Sequence, residues 1–360
     1  MTAAFQTPGP RDSLTDVAGL LVGHHHELDD ATMGSGSATG CTVVRALGGA
    51  TAAVDVRGGG PGTRETDLLD PSHSVQHVNA ILLTAGSAYG LAAADGVMRW
   101  LEEHGQGIPM GSPDHVVPIV PAAVIFDLPV GDWAARPTAE FGYLAAAAAA
   151  TEFATGSVGA GVGARAGVLK GGVGTASTVI EGGPADGVTV AALMVANPVG
   201  AVFDPRTGLL WGVGTLGPAS FGMRTPDVNQ LWAALALEPK GTALNTTIGV
   251  VATDAALSSA SCKRIAVAGH DGLARAIRPA HSPLDGDTIF AVSTGTRPAT
   301  AESTVPAAFS AELPVLAAVT EAAAIVVEKA IVRALLDATS VAGIPTYRQI
   351  FTSAFGGSGA

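Results

Sequence analysis

The chain has 360 residues and is poor in cysteine, aromatic residues and charge. Cys41 and Cys262 are its two cysteines, which excludes a disulfide framework, and the sequence has no Cys-x-x-Cys pair for zinc. We expect both to be small buried residues in a reducing cytoplasm. Charged residues make up 14% of the chain and hydrophobic residues 48%. This balance indicates a large buried core and excludes disorder as an overall description.

Positive charge is scarce as well. The 19 basic residues are outnumbered by 31 acidic ones, giving a net charge of −12, and no basic cluster is present. These features argue against nucleic acid as a partner. The N-terminus lacks a basic start followed by an apolar core, so no signal peptide is predicted. The most apolar segment, residues 79–101, contains Asp95 and Arg99, which favours a buried helix over a membrane span.

The glycine-rich and histidine-rich segments do not complete a known ligand motif. Residues 58–63 could cradle an anion, but they lack the Gly-Lys-Ser/Thr ending of a phosphate loop, so a tight turn is favoured. Residues 156–167 lack the third glycine of a dinucleotide fingerprint because alanine stands there. His24, His25 and His26 are adjacent, which favours a solvated loop over a metal site. We therefore expect no metal or organic cofactor.

Strand-like and alanine-rich helical segments alternate along the chain. The predicted strands are residues 20–23, 40–44, 50–57, 122–127, 188–196, 201–203, 248–253 and 289–293. The predicted helices are residues 79–103, 138–153, 258–268, 273–277 and 311–339. A Gly-Gly turn between 40–44 and 50–57 predicts a hairpin. The pattern indicates an α/β (α+β) domain of mixed or antiparallel sheets covered by helices. Residues 1–13 are predicted to form a flexible arm, and residues 205–244 a linker region with one periodic stretch, 229–237.

Two polar clusters stand directly before apolar strands. Asn245, Thr246 and Thr247 precede the β-branched run 248–253, and Asp285-Gly286-Asp287 precedes 289–293. On local pattern the first cluster is an ordinary turn entering a strand. The alternative is a threonine nucleophile at the mouth of a strand with its base close by. Adjacent strands that start at the same sheet edge would bring both clusters together, and a calcium loop is disfavoured because the remaining ligand positions are missing.

Several ordered segments resemble one family, the L-aminopeptidase/D-esterase family, which includes β-peptidyl aminopeptidases and endo-type 6-aminohexanoate-oligomer hydrolases. The resemblance extends from about residue 14 to about residue 340. The segments that carry it are Thr39–Val43, Val54–Gly59, Leu83–Leu91, Val158–Gly161, Lys170–Gly172, Asn197–Gly200, Asn245–Ile248 and Asp285–Thr288. Together they are far more specific than any one motif.

The resemblance implies a self-processing amide hydrolase. Its expected fold is a four-layer α-β-β-α sandwich like that of N-terminal-nucleophile hydrolases, formed by a single domain, residues 14–350. The precursor would cut itself between Asn245 and Thr246 into an α chain, 1–245, and a β chain, 246–360. Four processed protomers would assemble into a homo-tetramer. The implied substrates are small peptides or amide oligomers, and the implied reaction needs no metal or organic cofactor.

The same resemblance assigns roles to individual residues. Thr246 would be the nucleophile, and Thr247 a supporting hydroxyl. The other implied catalytic residues are Asn197, Lys170, Tyr89, Asp285 and Asp287. Asn197 is then a candidate oxyanion donor, Lys170 would lower the pKa of the new amine, the two aspartates would orient the amine or Thr247, and Tyr89 could donate to the tetrahedral oxygen.

Some alternatives remain open at this point. Lys170 lies in a glycine-rich run and is equally compatible with a solvated loop. Threonine at 246, and the Asp-Gly-Asp sequence in place of Ser-x-Glu, favour the oligomer-hydrolase branch over the aminopeptidases. An unprocessed homologue with a binding or structural role is the rival hypothesis. Nucleotide binding by the glycine loops is a weaker one.

Overall fold

A computed structural model describes residues 5–29, 32–112, 114–238, 245–298, 305–306 and 308–356. The strands in chain order are β1 (Phe5–Thr7), β2 (Leu20–Leu28), β3 (Ala38–Val56), β4 (Thr63–Arg64), β5 (His77–Thr84), β6 (Ile108–Pro109), β7 (Val116–Val117), β8 (Ala122–Val124), β9 (Arg165–Ala166), β10 (Leu169–Lys170), β11 (Gly172–Glu181), β12 (Thr189–Ala196), β13 (Ile248–Ala255) and β14 (Thr288–Arg297). The helices are α1 (Ala93–Glu103), α2 (Ala139–Ala147), α3 (Val228–Leu235), α4 (Ser259–Ala276), α5 (Leu313–Leu336) and α6 (Tyr347–Ile350).

Strand β3 joins two parts of one large sheet. The hydrogen-bonded order is β1-β11-β12-β13-β14-β3-β5-β8-β4, and β2 pairs with β3. The first half of β3 pairs with β2, whereas Thr51–Val56 pair on the same edge with β14. The predicted hairpin is therefore wrong. Gly48 and Gly49 have positive φ and lie where the register with β5 shifts, so they bend one long strand rather than reverse it.

Alternate residues of the central strands enter different cores. Leu193 and Val250 face a core between the two parts of the sheet, together with Ile81 of β5. Their neighbours Met194 and Val251 face a second core beneath α4 and α5. This period of two is what a strand buried on both faces produces. Helices α1 and α2 cover the other part of the sheet through a third core. The four layers α-β-β-α are those expected from the resemblance.

The segment 79–103 was predicted to be one helix, and this prediction is wrong for its first half. His77–Thr84 form β5, Ser87–Ala92 form a 3-10 turn, and α1 begins at Ala93. A short apolar run buried on all sides has no periodicity that separates strand from helix. Helix α1 nevertheless packs closely against α2. A Cβ at Gly96 of α1 would lie 1.6 Å from the carbonyl oxygen of Ala139 at the start of α2.

The histidine triplet also differs from its prediction. His24 to His26 lie on β2 and pair with Thr42 to Gly40 of β3, not in a solvated loop. The Nδ1 atom of His24 is 2.9 Å from Thr42 Oγ1, and burial lowers the pKa of this histidine to about 4. The three histidines thus belong to a strand, although their polarity alone indicated a loop.

The remaining boundaries shift in smaller ways. The predicted helices 258–268 and 273–277 are one helix, α4. The N-terminal arm, residues 1–13, is attached to the domain from Phe5 onward, since β1 pairs with β11 and Asp12 bridges Lys329 and Arg333. The predicted linker contains α3, and its residues 239–244 lie outside the described residues. Within the described residues, no helix has both the length and the hydropathy that a membrane span requires.

Candidate active site

The two polar clusters meet at one edge of the sheet. Strands β13 and β14 are parallel neighbours, with Ile248 opposite Thr288. Immediately before them, the Gly286 N–H donates to the Asn245 carbonyl at 3.0 Å, and the Thr288 N–H donates to the Thr247 carbonyl at 3.2 Å. The prediction that both clusters start at the same edge is confirmed.

Thr246 is held against the carbonyl group that precedes it. Its hydroxyl donates to the carbonyl oxygen of Asn245, and its side chain is almost fully buried. Its backbone N–H donates to the carbonyl oxygen of Asn197 at 3.1 Å. Asn197 directly follows β12, the other neighbour of β13. Three adjacent strand ends therefore fix the position of Thr246.

Asp287 binds the backbone of Thr247, the residue that follows Thr246. Its Oδ1 accepts from the Thr247 N–H at 2.8 Å. Its Oδ2 accepts from the His281 N–H at 3.0 Å and lies 2.8 Å from His281 Nδ1. The Thr247 hydroxyl is buried without a hydrogen-bond partner among the described residues. His281 was missed at the sequence level because a single histidine in a polar turn carries no distinguishing signal.

Asp285 has an unused acceptor. Its Oδ2 accepts from the Ser282 N–H at 2.9 Å, whereas its Oδ1 is buried and accepts no hydrogen bond from the described residues. Burial raises the pKa of Asp285 above its ordinary value, and the neighbouring Asp287 carboxylate adds to this effect. A nearby cationic or donor group would compensate this carboxylate.

The side chain of Asn197 ties two other segments to the site. Its Oδ1 accepts from the Arg165 N–H at 2.9 Å, and its Nδ2 donates to the Phe126 carbonyl at 3.1 Å. Arg165 pairs with Lys170 in the β9–β10 hairpin. Lys170 is fully buried and donates from Nζ to the carbonyl groups of Gly161 and Gly171 at 2.8 and 2.9 Å. The solvated-loop interpretation of Lys170 is therefore excluded.

Tyr89 stands apart from this cluster. Its side chain is 56% exposed, and the Arg136 guanidinium lies 3.8 Å from its ring centroid. Within the part of the chain that the structure describes, the Tyr89 hydroxyl makes no hydrogen bond. The structure thus brings together Asn197, Thr246, Thr247, Asp285 and Asp287, with Lys170 on the adjoining hairpin, but shows no link to Tyr89.

The glycine loop before β4 packs directly on the aspartate cluster. Gly60 N–H donates to the Asp285 carbonyl at 2.8 Å, and Gly58 N–H donates to the Asp287 carbonyl at 3.3 Å. A Cβ at Gly58 would lie 2.2 Å from the Asp285 carbonyl oxygen. A Cβ at Gly286 would lie 2.7 Å from the Thr246 hydroxyl. These glycines allow backbone segments to meet closely around the site.

The family model described as peptidase family S58 matches residues 12–348. The chain belongs to peptidase family S58. An "uncharacterized aminopeptidase" of Mycobacterium tuberculosis (strain ATCC 25618 / H37Rv) is 58% identical over 350 residues, which cover 96% of this chain and 99% of that protein. The 6-aminohexanoate-oligomer endohydrolase of Paenarthrobacter ureafaciens is 35% identical over 291 residues, covering 78% and 74%. The resemblance found in the sequence is confirmed, and this S58 member is a peptide or amide hydrolase.

Solved structures agree with the fold. A Burkholderia beta-aminopeptidase matches with a TM-score of 0.72 at 24% identity, covering 96% of this chain and 93% of that one. The L-aminopeptidase D-Ala-esterase/amidase of Ochrobactrum anthropi, described as a variant of the Ntn hydrolase fold, matches with a TM-score of 0.69 at 23% identity, covering 93% and 88%. At these identities the likeness establishes the Ntn-hydrolase-type sandwich.

Proposed function

We propose that this S58 peptidase cuts its own chain between Asn245 and Thr246 and then hydrolyses amide bonds with Thr246 as an N-terminal nucleophile. The observation that carries the proposal is the Thr246 hydroxyl, buried and hydrogen-bonded to the carbonyl of the bond to be cut. A hydroxyl held beside a carbonyl avoids most of the entropic cost of bringing two reactants together. The products would be an α chain, 1–245, and a β chain, 246–360.

The processing step is an N-to-O acyl shift followed by hydrolysis. Thr246 Oγ1 attacks the carbonyl carbon of Asn245, the C–N bond breaks, and the hydroxyl proton ends on the released amine. Water then cleaves the resulting ester, leaving the carboxylate on Asn245 and restoring the hydroxyl. The Gly286 N–H, which donates to the Asn245 carbonyl oxygen, supports the charge that develops on that oxygen.

Processing creates the base that hydrolysis requires. An α-amino group has a pKa of about 7.7–8.0, which suits proton transfer at neutral pH. The amine would keep its bond to the Asn197 carbonyl. Asp285 Oδ1, which accepts no hydrogen bond from the described residues, is a suitable acceptor for the added protons of the amine. The amine takes the hydroxyl proton of Thr246 as the hydroxyl attacks the substrate carbonyl carbon, and it passes this proton to the leaving amine as the substrate C–N bond breaks. Water then hydrolyses the ester of the acyl-enzyme, releasing the carboxylic acid and restoring the Thr246 hydroxyl.

Lys170 and Asn197 support this chemistry through charge and geometry. As an ammonium, the buried Lys170 on the β9–β10 hairpin would lower the pKa of the new amine by like-charge repulsion and would favour negative charge on the reacting oxygen. Asn197 offers its carbonyl to the nucleophile's nitrogen and holds the hairpin through its side chain. Tyr89, whose ring is exposed, would donate to the tetrahedral oxygen from outside the buried cluster.

We assign small peptides and amide oligomers as the substrate class. The aminopeptidase name of the 58% identical relative supports peptides, and the endohydrolase name of the 35% identical relative supports amide oligomers. Threonine at 246 and paired aspartates favour the second group. The processed αβ protomers would form a homo-tetramer, which sedimentation analysis tests.

Intact-mass spectrometry with N-terminal sequencing tests the proposal. Purified protein should give two chains, one of which begins at Thr246, and should hydrolyse a peptide amide or a 6-aminohexanoate oligomer after processing. A single intact chain after long incubation, without hydrolysis, supports the rival hypothesis of an unprocessed binding or structural homologue.

A pH-dependent stability difference is expected from Asp285. In the unprocessed Thr246→Ala variant the raised pKa of Asp285 means that the folded state retains a proton that the unfolded chain has released. The free energy of unfolding should therefore fall as pH rises from about 4, and Asp285→Asn in the same background should remove that part of the slope. Urea unfolding at several pH values measures both proteins. If the free energy of unfolding depends on pH in the same way in both proteins, the pKa of Asp285 is not raised by burial.

Asn197 variants separate structural support from transition-state stabilisation. Asn197→Ala removes this partner from the partly buried Arg165 N–H and Phe126 carbonyl, so we expect a loss of about 1–3 kcal/mol in unfolding free energy. If Nδ2 also stabilises the oxyanion, hydrolysis should slow by roughly a hundredfold or more. Asn197→Asp retains the acceptor for Arg165 but loses the donor to the Phe126 carbonyl, so its stability shows which of the two contacts matters. Unchanged stability and wild-type rates in Asn197→Ala would refute both roles.

A further inference from the structure

His281 contacts the Asp287 carboxylate through both its backbone and its side chain. Its backbone N–H and its Nδ1 both approach Oδ2, at 3.0 and 2.8 Å, while Oδ1 accepts from the Thr247 N–H. An ionised carboxylate only accepts hydrogen bonds, so Nδ1 carries the proton in this pair. The carboxylate is thereby fixed at both oxygens, one towards His281 and one towards the residue that follows Thr246.

The backbone of His281 is adapted to this arrangement. Its φ is +57°, a left-handed conformation that non-glycine residues rarely adopt and that is usually supported by surrounding structure. The conformation places the N–H and the ring of the same residue on one carboxylate oxygen. Asn and Asp tolerate this conformation better than most side chains, and Gly tolerates it freely. Substitutions at this position can therefore keep the backbone while changing the side chain.

A second histidine packs behind the first. The His270 ring of α4 lies 4.8 Å from the His281 ring, edge to face, and its Nε2 is 3.0 Å from the Asp55 carbonyl oxygen. His270 is fully buried, and burial lowers its pKa to about 4, so it is neutral at physiological pH. The His281 Nε2 is buried without a hydrogen-bond partner among the described residues. The His281 ring is thus clamped between a neutral aromatic edge and the Asp287 carboxylate.

We infer that His281 is a positioning residue that holds Asp287 and, through it, the Thr247 amide, so that the Thr246 hydroxyl stays aimed at the bond it attacks. The inference rests on the proposed function, because it assigns a support to that nucleophile. The path has two hydrogen bonds, His281 to Asp287 and Asp287 to Thr247. Without the ring the carboxylate loses a charge-assisted donor and can rotate, which moves the amide adjacent to the nucleophile.

The test compares His281→Gly with His281→Asn. Both tolerate the left-handed backbone and keep the backbone N–H bond to Asp287, but only Asn offers a side-chain donor in place of Nδ1. We expect His281→Gly to slow self-processing and to lower kcat by roughly tenfold to a hundredfold with KM within about twofold of wild type. His281→Asn should recover most of both rates. Thermal unfolding of each variant, and His115→Asn as an exposed histidine control, complete the comparison.

His281→Asp covers the case in which the glycine variant does not fold. It has the size of Asn but places an acceptor against the Asp287 carboxylate, so it should be slower than His281→Asn. Wild-type rates in folded His281→Gly, or equal rates in the Asn and Asp variants, would overturn the inference while processed wild type upholds the proposed function. An unprocessed and inactive wild-type protein would overturn the proposed function itself, and the inference with it.

Discussion

Thr246→Ala is expected to remain a single intact chain and to lose hydrolysis. The variant lacks the hydroxyl that lies on the Asn245 carbonyl, so neither the acyl shift nor the acyl-enzyme can form. Loss of a nucleophile typically costs a factor on the order of a thousand or more in kcat. Intact-mass spectrometry after prolonged incubation measures processing, and amide release from a peptide and from an amide oligomer measures hydrolysis. The fold should persist because the change removes only a few buried atoms.

Two matched substitutions define what this result means. Thr246→Ser keeps the hydroxyl and should still process and hydrolyse. Thr247→Val removes the neighbouring hydroxyl, which is buried and unpaired among the described residues, while keeping the side-chain shape. It should process, because the role of Thr247 runs through its backbone N–H to Asp287. Cleaved chains in Thr246→Ala would contradict the assignment of Thr246 as the nucleophile. An intact chain in Thr247→Val, with cleavage in Thr246→Ala, would assign that role to Thr247.

The edge that carries the site could be predicted from the sequence. Asn245–Thr247 and Asp285–Asp287 each stand before a β-branched apolar run, and such runs form buried strands. Their contact required only that β13 and β14 be neighbours with the same direction, which the register Ile248 to Thr288 establishes. The local signal was strong because strand propensity and polarity change within one or two residues. The pairing partner, in contrast, had to come from the fold.

The features that could not be predicted depend on long-range contacts. Gly48 and Gly49 carry the same local signal whether they reverse a hairpin or bend one strand. The outcome depends on β2 and β14, which pair with successive parts of the same edge of β3. Residues 80–83 are apolar and buried, so their period could not distinguish strand from helix. His281 became recognisable only when its ring was seen against Asp287, six residues further along the chain.

Close backbone approach explains why glycines gather around this site without forming a ligand loop. Gly58 and Gly60 hydrogen-bond to the Asp287 and Asp285 carbonyl groups, and Gly286 leaves room for the Thr246 side chain. A glycine-rich sequence is equally suited to cradling an anion or to admitting a second backbone. Here the second backbone is that of Asp285–Asp287, and the Thr246 side chain occupies the space beside Gly286.

Gly286→Ala is expected to abolish most processing and hydrolysis while leaving the protein folded. The new Cβ would lie 2.7 Å from the Thr246 hydroxyl, 3.1 Å from the Gly60 carbonyl oxygen and 3.2 Å from the Thr246 methyl carbon, so the Gly60 backbone must also shift by a few tenths of an ångström. Gly286 does not have a positive φ, so alanine brings no backbone strain, and the side chain of Thr246 can rotate to relieve the contact. That rotation takes the hydroxyl away from the Asn245 carbonyl. We expect both rates to fall by roughly a hundredfold, with a smaller loss of thermal stability than in Gly58→Ala, because the backbone contact of the new Cβ is longer.

The neighbouring glycines provide graded controls for this steric argument. A Cβ at Gly60 would meet no atom closer than 3.5 Å, so Gly60→Ala should behave as wild type. A Cβ at Gly58 would lie 2.2 Å from the Asp285 carbonyl oxygen and 2.4 Å from the Asp287 nitrogen, and these backbone atoms cannot rotate away. Gly58→Ala should therefore lower the thermal stability itself. If Gly286→Ala processes at the wild-type rate, the Thr246 rotamer that aims the hydroxyl at Asn245 does not control the reaction. If it unfolds like Gly58→Ala, the glycine supports the fold and not the nucleophile.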